Sequence, residues 1–229
     1  MLELHNKQEA ADIEKAEKSA FREIKPESDM TLSEAKAFVD GLFEKTHETS
    51  AEYYNSYETR SSIIPTDGVR GRWEGERGES KYIPSGATEE SRDAKEKLAE
   101  KNMDGIVYKN AEPGFSECAE ATVEIDNMTE NRFDYLDTDG NFQFGNFSQA
   151  DAKCAEQWNA AQKNGKSNWT AADVRDWRRE NGYSWHERCD TRSMDLVSKE
   201  IHSYFGHYGG CAECKTRDAA GTDGGGFDE

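Results

Sequence analysis

The sequence predicts an α+β fold, with short strands and surrounding helices in a C-terminal body and a helical arm ahead of it. Three observations carry that reading. Apolar residues recur at helical spacing behind capping residues in several places. Runs of four or five residues concentrate β-branched and aromatic side chains. Gly, Pro and Asp-Gly breaks separate the two kinds of segment. The chain has 229 residues, enough for one ordinary domain with appendages. Apolar residues make up 34% and charged residues 33%. The apolar share is below the roughly 45–50% usual in globular domains, so part of the chain is expected to be solvated rather than core.

The elements follow in order. Residues 1–60 are rich in Glu, Lys and Ala, and Ser33 stands as an N-cap before Phe38, Val39, Leu42 and Phe43 at helical spacing. They read as a largely solvated helical arm, with Tyr53, Tyr54 and Tyr57 as packing residues. Ile63-Ile64-Pro65 and Asp67-Gly68 break that pattern, so the body is expected to begin at 61. Arg72 to Pro84 reads as extended or looped and 90–101 as a helix. Residues 105–108 and 121–125 read as short strands. The helix expected over 147–164 places Ala150, Cys154 and Trp158 on one face. Thr170 with Asp173 three residues later is a capping-box start, and Asn181-Gly182 is a helix stop. The body is expected to end at 216, with 217–229 a disordered tail. Asp137-Thr138-Asp139-Gly140-Asn141 has calcium-loop character, but Phe142 stands where Gly is needed and Ser148 where Glu is. It is read as a turn.

Residues 183–210 are the informative stretch. A strand over 183–188, a turn over 190–193 and a second strand over 194–197 form a β-hairpin. Ser198 then caps a helix running to about Tyr204, and Gly206 stops it. Three of the five histidines lie here: His186 on the first strand, His202 on the helix, His207 just past it. A helix folded across a hairpin brings such positions close together. Neutral imidazoles hold divalent ions and leave coordination positions open, and a metal so placed orients a scissile phosphate. An imidazole outside the metal's shell takes a proton from water, its pKa being near working pH. The residue types alone leave the division between these roles open. Trp185 is read as packing beneath the site, and Gly206, Gly209 and Gly210 as turn residues at positive φ.

Trp185-His186, His202, His207 and Gly209-Gly210 resemble the HNH/endonuclease VII superfamily of ββα-metal nucleases, closest to a toxin-type subgroup with a Trp-His…His signature. The stretches Gly75 to Ser80, Ile125 to Met128 and Trp177 to Tyr183 are similar to parts of such domains. The resemblance spans roughly residues 68–216 and is most specific in the last third. It implies a metal-dependent endonuclease, DNA favoured over RNA, of the kind delivered as a bacterial toxin or effector. It implies His186 as general base and His202 and His207 as ligands of one divalent ion (Mg²⁺, Mn²⁺ or Zn²⁺). Glu187 stands where many relatives carry a second His or an acid, and either joins the catalysis or completes the ligand set. Arg77, Arg175, Arg178 and Arg179 are the expected contacts to the nucleic acid. An immunity protein is the further partner such a toxin implies.

The net charge of −18 argues against non-specific nucleic-acid affinity. Residues 171–215, with 7 basic and 8 acidic groups, are close to neutral. No stretch approaches the ~18–20 apolar residues of a membrane span, and the acidic N-terminus is unlike a secretory signal. The expectation is a cytoplasmic protein or one exported by a specialised route. Five cysteines are an odd number in a long chain, which reads as reduced thiols rather than a disulfide scaffold. Two rival readings stand beside the nuclease. His202, His207, Cys211 and Cys214 have the spacing of a closed structural zinc site in a non-enzymatic interaction module. An acidic protein-binding domain, or DNA mimic, would leave the histidines merely structural.

Overall fold

The computed structural model describes residues 53–222. The expected helix behind Ser33 lies outside the described residues, as do residues 223–229. The fold is α+β, as the sequence predicts. The chain opens with α1 (Tyr57–Ser61), β1 (Gly71–Trp73), β2 (Lys81–Pro84), α2 (Glu89–Ala99), β3 (Ile106–Lys109) and β4 (Glu112–Pro113). A 3-10 turn at Phe115–Glu117, β5 (Thr122–Glu124), the short β6 (Tyr135–Leu136) and β7 (Phe142–Gln143), and α3 (Asn146–Ala160) come next. A second 3-10 turn, Lys163–Gly165, leads to α4 (Ala171–Glu180), β8 (Tyr183–Glu187), β9 (Ser193–Ser198), α5 (Lys199–Tyr204) and α6 (Gly210–Thr222).

Among the described residues three antiparallel sheets result: β1-β2-β3-β4, β5-β9-β8 and the hairpin β6-β7. The stretch expected to be extended or looped, 72–84, is the β1–β2 hairpin, Arg72 pairing with Ile83. The capping residues act as the sequence predicts. Thr170 accepts a hydrogen bond from the Asp173 amide in a complete capping box. Gly182 takes φ +74° where α4 stops, and Ser198 caps α5 by accepting from the Ile201 amide.

The hairpin β8–β9 is the hub, because both faces of β9 are covered. Its residues 193–198 are all buried, and strand alternation sends them to two different cores. Val197 joins Trp73, Tyr82, Leu98, Tyr108, Phe115, Ile201 and Phe205 beneath the four-stranded sheet. Met194 and Leu196 join Val123, Ala150, Cys154, Trp158, Val174 and Trp185 against α3 and α4. Burying a side chain such as Phe115 contributes roughly 1.5–3 kcal/mol.

Residues just ahead of 61 pack on the body. Tyr53 donates its hydroxyl to Glu112 at 3.1 Å, and the amides of Tyr54 and Asn55 donate to buried Glu213 at 2.6 and 3.0 Å. At the other end α6 runs through Thr222, with Glu213 and Cys214 buried on it. Among the described residues, no helix is long and apolar enough to cross a membrane.

Candidate metal centre

β8 is the edge strand of its sheet, so side chains from both of its faces reach a single cavity at its end. Alternation turns Trp185 and Glu187 to the α3 side and His186 to the other. The Phe115 ring packs edge-on against His186 at 4.9 Å and His207 at 5.3 Å, with His202 at 5.9 Å. α5 supplies His202 and the turn after it supplies His207. One ring donor from each of the three imidazoles lies within 4.8 Å of the other two, and this is the one such group among the described residues. Ring centroids are 5.4 Å (His186–His202), 4.6 Å (His186–His207) and 5.1 Å (His202–His207) apart.

The donor chemistry fits a cation. His207 Nδ1 lies 2.6 Å from the Phe205 carbonyl. A carbonyl only accepts, so Nδ1 carries the proton and Nε2 is left free, the arrangement common in metal-binding histidines. His186 Nε2 is buried without a hydrogen-bond partner, an arrangement that costs energy unless an ion or ordered water satisfies it. Burial depresses all three imidazoles. His186 falls well below its usual value through burial and the neighbouring His207 and His202, and His202 falls to about 3 through burial and His207. His207 is lowered by burial against the pull of its Phe205 bond. Each shift favours the neutral ring, the form a metal ligand must have.

The rings border a cavity of about 440 Å³ lined also by Arg132, Trp185, Glu187, Tyr208, Cys211 and Lys215. Glu187 is buried. Its Oε1 accepts from Asn146 Nδ2 at 3.1 Å, and its Oε2 has no hydrogen-bond partner and lies 3.8 Å from Arg132 Nε. Burial raises its pKa against the opposing pull of Asn146 and Arg132.

Several expectations are revised here. His186, which the resemblance implies as general base, stands in the same three-donor group as His202 and His207. Arg178, an expected contact to nucleic acid, is buried and donates to both oxygens of Asp151, at 2.8 and 3.0 Å. The same carboxylate accepts the Trp185 indole N–H at 2.8 Å. Trp185 is thereby held in the core against α3 and α4. Arg77 is spent on the carbonyls of Pro65 and Ile64 at 2.9 and 2.6 Å. Arg175 pairs with Asp176 on the exposed face of α4, and Arg179 is exposed on the same helix. None of the four lines the cavity. The cations that do, Arg132 and Lys215, carried no motif in the sequence.

Gly206, Gly209 and Gly210 are not at positive φ. They are glycine because chain passes too close. A Cβ on Gly209 would stand 2.6 Å from the Glu187 carbonyl oxygen, and one on Gly210 2.6 Å from that of Arg188. On Gly206 it would meet the Ile63 carbonyl at the same distance. The closed zinc site does not form. Cys211 and Cys214 lie by the carbonyls of Glu130 and Met128, at 3.6 and 3.3 Å, outside the histidine group. All five thiols are free. The Asp137 loop is a hairpin turn, Asp137 Oδ1 accepting from the amides of Asp139 and Asn141.

Residues 105–209 match the family model of the DNase/tRNase domain of colicin-like bacteriocins. The match covers somewhat less than half of the chain and contains all three histidines, so this part of the chain is similar to a nuclease toxin domain. No curated protein matches the chain, and no solved structure does.

Proposed function

We propose that the chain is a nuclease toxin of the HNH type that hydrolyses phosphodiester bonds with the help of one divalent ion, with DNA as the favoured substrate. The observation that carries this reading is the convergence of His186, His202 and His207 within 4.8 Å, inside the segment similar to colicin-type nuclease domains. His186, His202 and His207 would together hold the ion, which when bound orients a phosphate oxygen and stabilises charge on the leaving oxygen.

The remaining roles belong to side chains at the cavity. Glu187 takes the proton of the attacking water at its Oε2, which has no hydrogen-bond partner. The water oxygen forms its bond to phosphorus as the bond to the leaving sugar oxygen breaks. Arg132 and Lys215, both exposed at the cavity, seat the flanking phosphates. They supply local positive charge that the chain as a whole, at −18, lacks. An immunity protein is the partner that a toxin of this kind requires.

The test offers supercoiled plasmid and transfer RNA to the protein, with Mg²⁺, Mn²⁺ or Zn²⁺ and with chelator. Cutting that needs metal and disappears in His202→Ala and His207→Ala supports the reading. Absence of cutting under every metal, or cutting that survives loss of the histidines, overturns it. Faster cutting of RNA would reassign the substrate only.

A further inference from the structure

Asn146 carried no motif in the sequence, yet it makes the side-chain hydrogen bond that holds Glu187. It is fully buried at the first position of α3. Its Oδ1 accepts from the Thr129 amide at 3.1 Å, and its Nδ2 donates to the Thr129 carbonyl at 2.5 Å. An amide N–H must find an acceptor, so the Thr129 amide determines which way round the Asn146 carboxamide stands. With both ends pinned to one residue's backbone, the remaining Nδ2 hydrogen has a single direction, toward Glu187 Oε1 at 3.1 Å. Asp at this position would keep the acceptor, lose both donors and set a carboxylate against Glu187. Gln would be one methylene too long for the ring with Thr129.

Asn146 also sits where an excursion of the chain closes. Residues 132–145 leave the body at Arg132, form the β6–β7 hairpin and return at Gly145, whose amide donates to Asp134 at 2.9 Å. A Cβ on Gly145 would lie 2.5 Å from the Arg132 carbonyl oxygen. The two strands of this neck therefore touch, and the residue that follows it reaches Glu187. Arg132, at one end of the neck, is the cation nearest Glu187 Oε2.

We infer that Asn146 is a positioning residue for hydrolysis. It ties Glu187 Oε1 to the 129–146 neck, so that Oε2 stays free at the cavity wall beside Arg132. This rests on the reading of Glu187 as proton acceptor, and the experiment separates the two.

The experiment is a double-mutant cycle of Asn146→Ala and Glu187→Gln, read as single-turnover plasmid nicking in the metal that serves the wild type. Zinc affinity by calorimetry and thermal melting are measured on each variant. The expected result is a roughly 10–100-fold loss of kcat in Asn146→Ala, as for other orienting partners. KM and zinc affinity stay unchanged. In the Glu187→Gln background the same substitution costs little, because a residue acting through Glu187 has nothing left to act on. An equal loss in both backgrounds assigns Asn146 to the fold alone and overturns the inference, as does no loss in either. Undiminished cutting by Glu187→Gln overturns the role of Glu187 and this inference with it. If Asn146→Ala does not fold, Asn146→Asp, which keeps the acceptor for Thr129, takes its place in the cycle; failure of both to fold also overturns it.

Discussion

Asp151→Ala is expected to loosen the ground beneath the candidate site, and the size of the effect follows from its neighbours. Asp151 is 3% exposed and holds Arg178 through two hydrogen bonds of 2.8 and 3.0 Å, with the Trp185 indole N–H on the same carboxylate. Removing it leaves a guanidinium buried without its counter-charge. Breaking a buried pair from one side costs about 3–5 kcal/mol. The orphaned indole N–H adds about 1–3 kcal/mol, not fully additive because both donors share Oδ1. A total near 4 kcal/mol, at roughly 2–4 °C of Tm per kcal/mol for a domain of this size, gives a drop of about 8–16 °C. The assay is calorimetric or circular-dichroism melting of the wild type, Asp151→Ala, Arg178→Met and the pair Asp151→Leu with Arg178→Met. The pair is expected to recover most of the loss, since apolar replacement of a buried ion pair is often near neutral. A shift below about 3 °C for Asp151→Ala would refute the reasoning. So would an Arg178→Met variant that melts normally and binds DNA more weakly, because Arg178 would then face nucleic acid after all.

Zinc at about 100 times its Kd should stabilise the folded protein by roughly 2.7 kcal/mol, a gain of several degrees in melting temperature that His202→Ala and His207→Ala abolish; equal gains in all variants would place the ion elsewhere. Arg132→Gln and Lys215→Gln should each raise KM and reduce the slope of log affinity against log salt by about one for duplex DNA, measured by fluorescence anisotropy from low to moderate salt. Unchanged slopes would return the phosphates to another face. Asp173 is held down to about 2 by its bonds to Thr170 and then by Lys166. A carboxylate depressed in the folded state stabilises above its unfolded value near 3.8 and loses that contribution as pH falls through 2. Asp173→Asn should therefore flatten the fall of melting temperature between about pH 4 and 2, a change read by melting at stepped pH and refuted by identical slopes. Gly209→Ala should fold poorly, since its Cβ would press on the Glu187 carbonyl oxygen at 2.6 Å; a normal melt would show that the α6 entrance yields.

Local features of the fold were legible because their causes are local. Thr170 with Asp173, Gly182 and Ser198 each act on backbone within four residues, and each does in the structure what its sequence context implies. Ala150, Cys154 and Trp158 are buried together as their spacing demands. The order strand, turn, strand, capped helix brought His186, His202 and His207 to one end of the hairpin, because a short chain leaves little choice of where the helix can lie. The reason for the glycines was not legible. Positive φ is a local property, whereas the closeness of Gly206 to Ile63 and of Gly209 to Glu187 depends on segments far apart or folded back on each other.

The sequence by itself determined the α+β character, the hairpin-helix element and the identity of the three imidazoles, since periodicity, capping and residue chemistry act at short range. Only the tertiary structure decided which charged groups stand at the cavity. A guanidinium's role depends on what packs over it: Asp151 takes Arg178 into the core, carbonyls of Ile64 and Pro65 take Arg77, and Arg132 and Lys215 reach the cavity from segments 83 residues apart. Asn146 comes to Glu187 across 41 residues by the same means. Such pairings are set by the long-range closure of the chain around β8 and β9, which no run of neighbouring residues encodes.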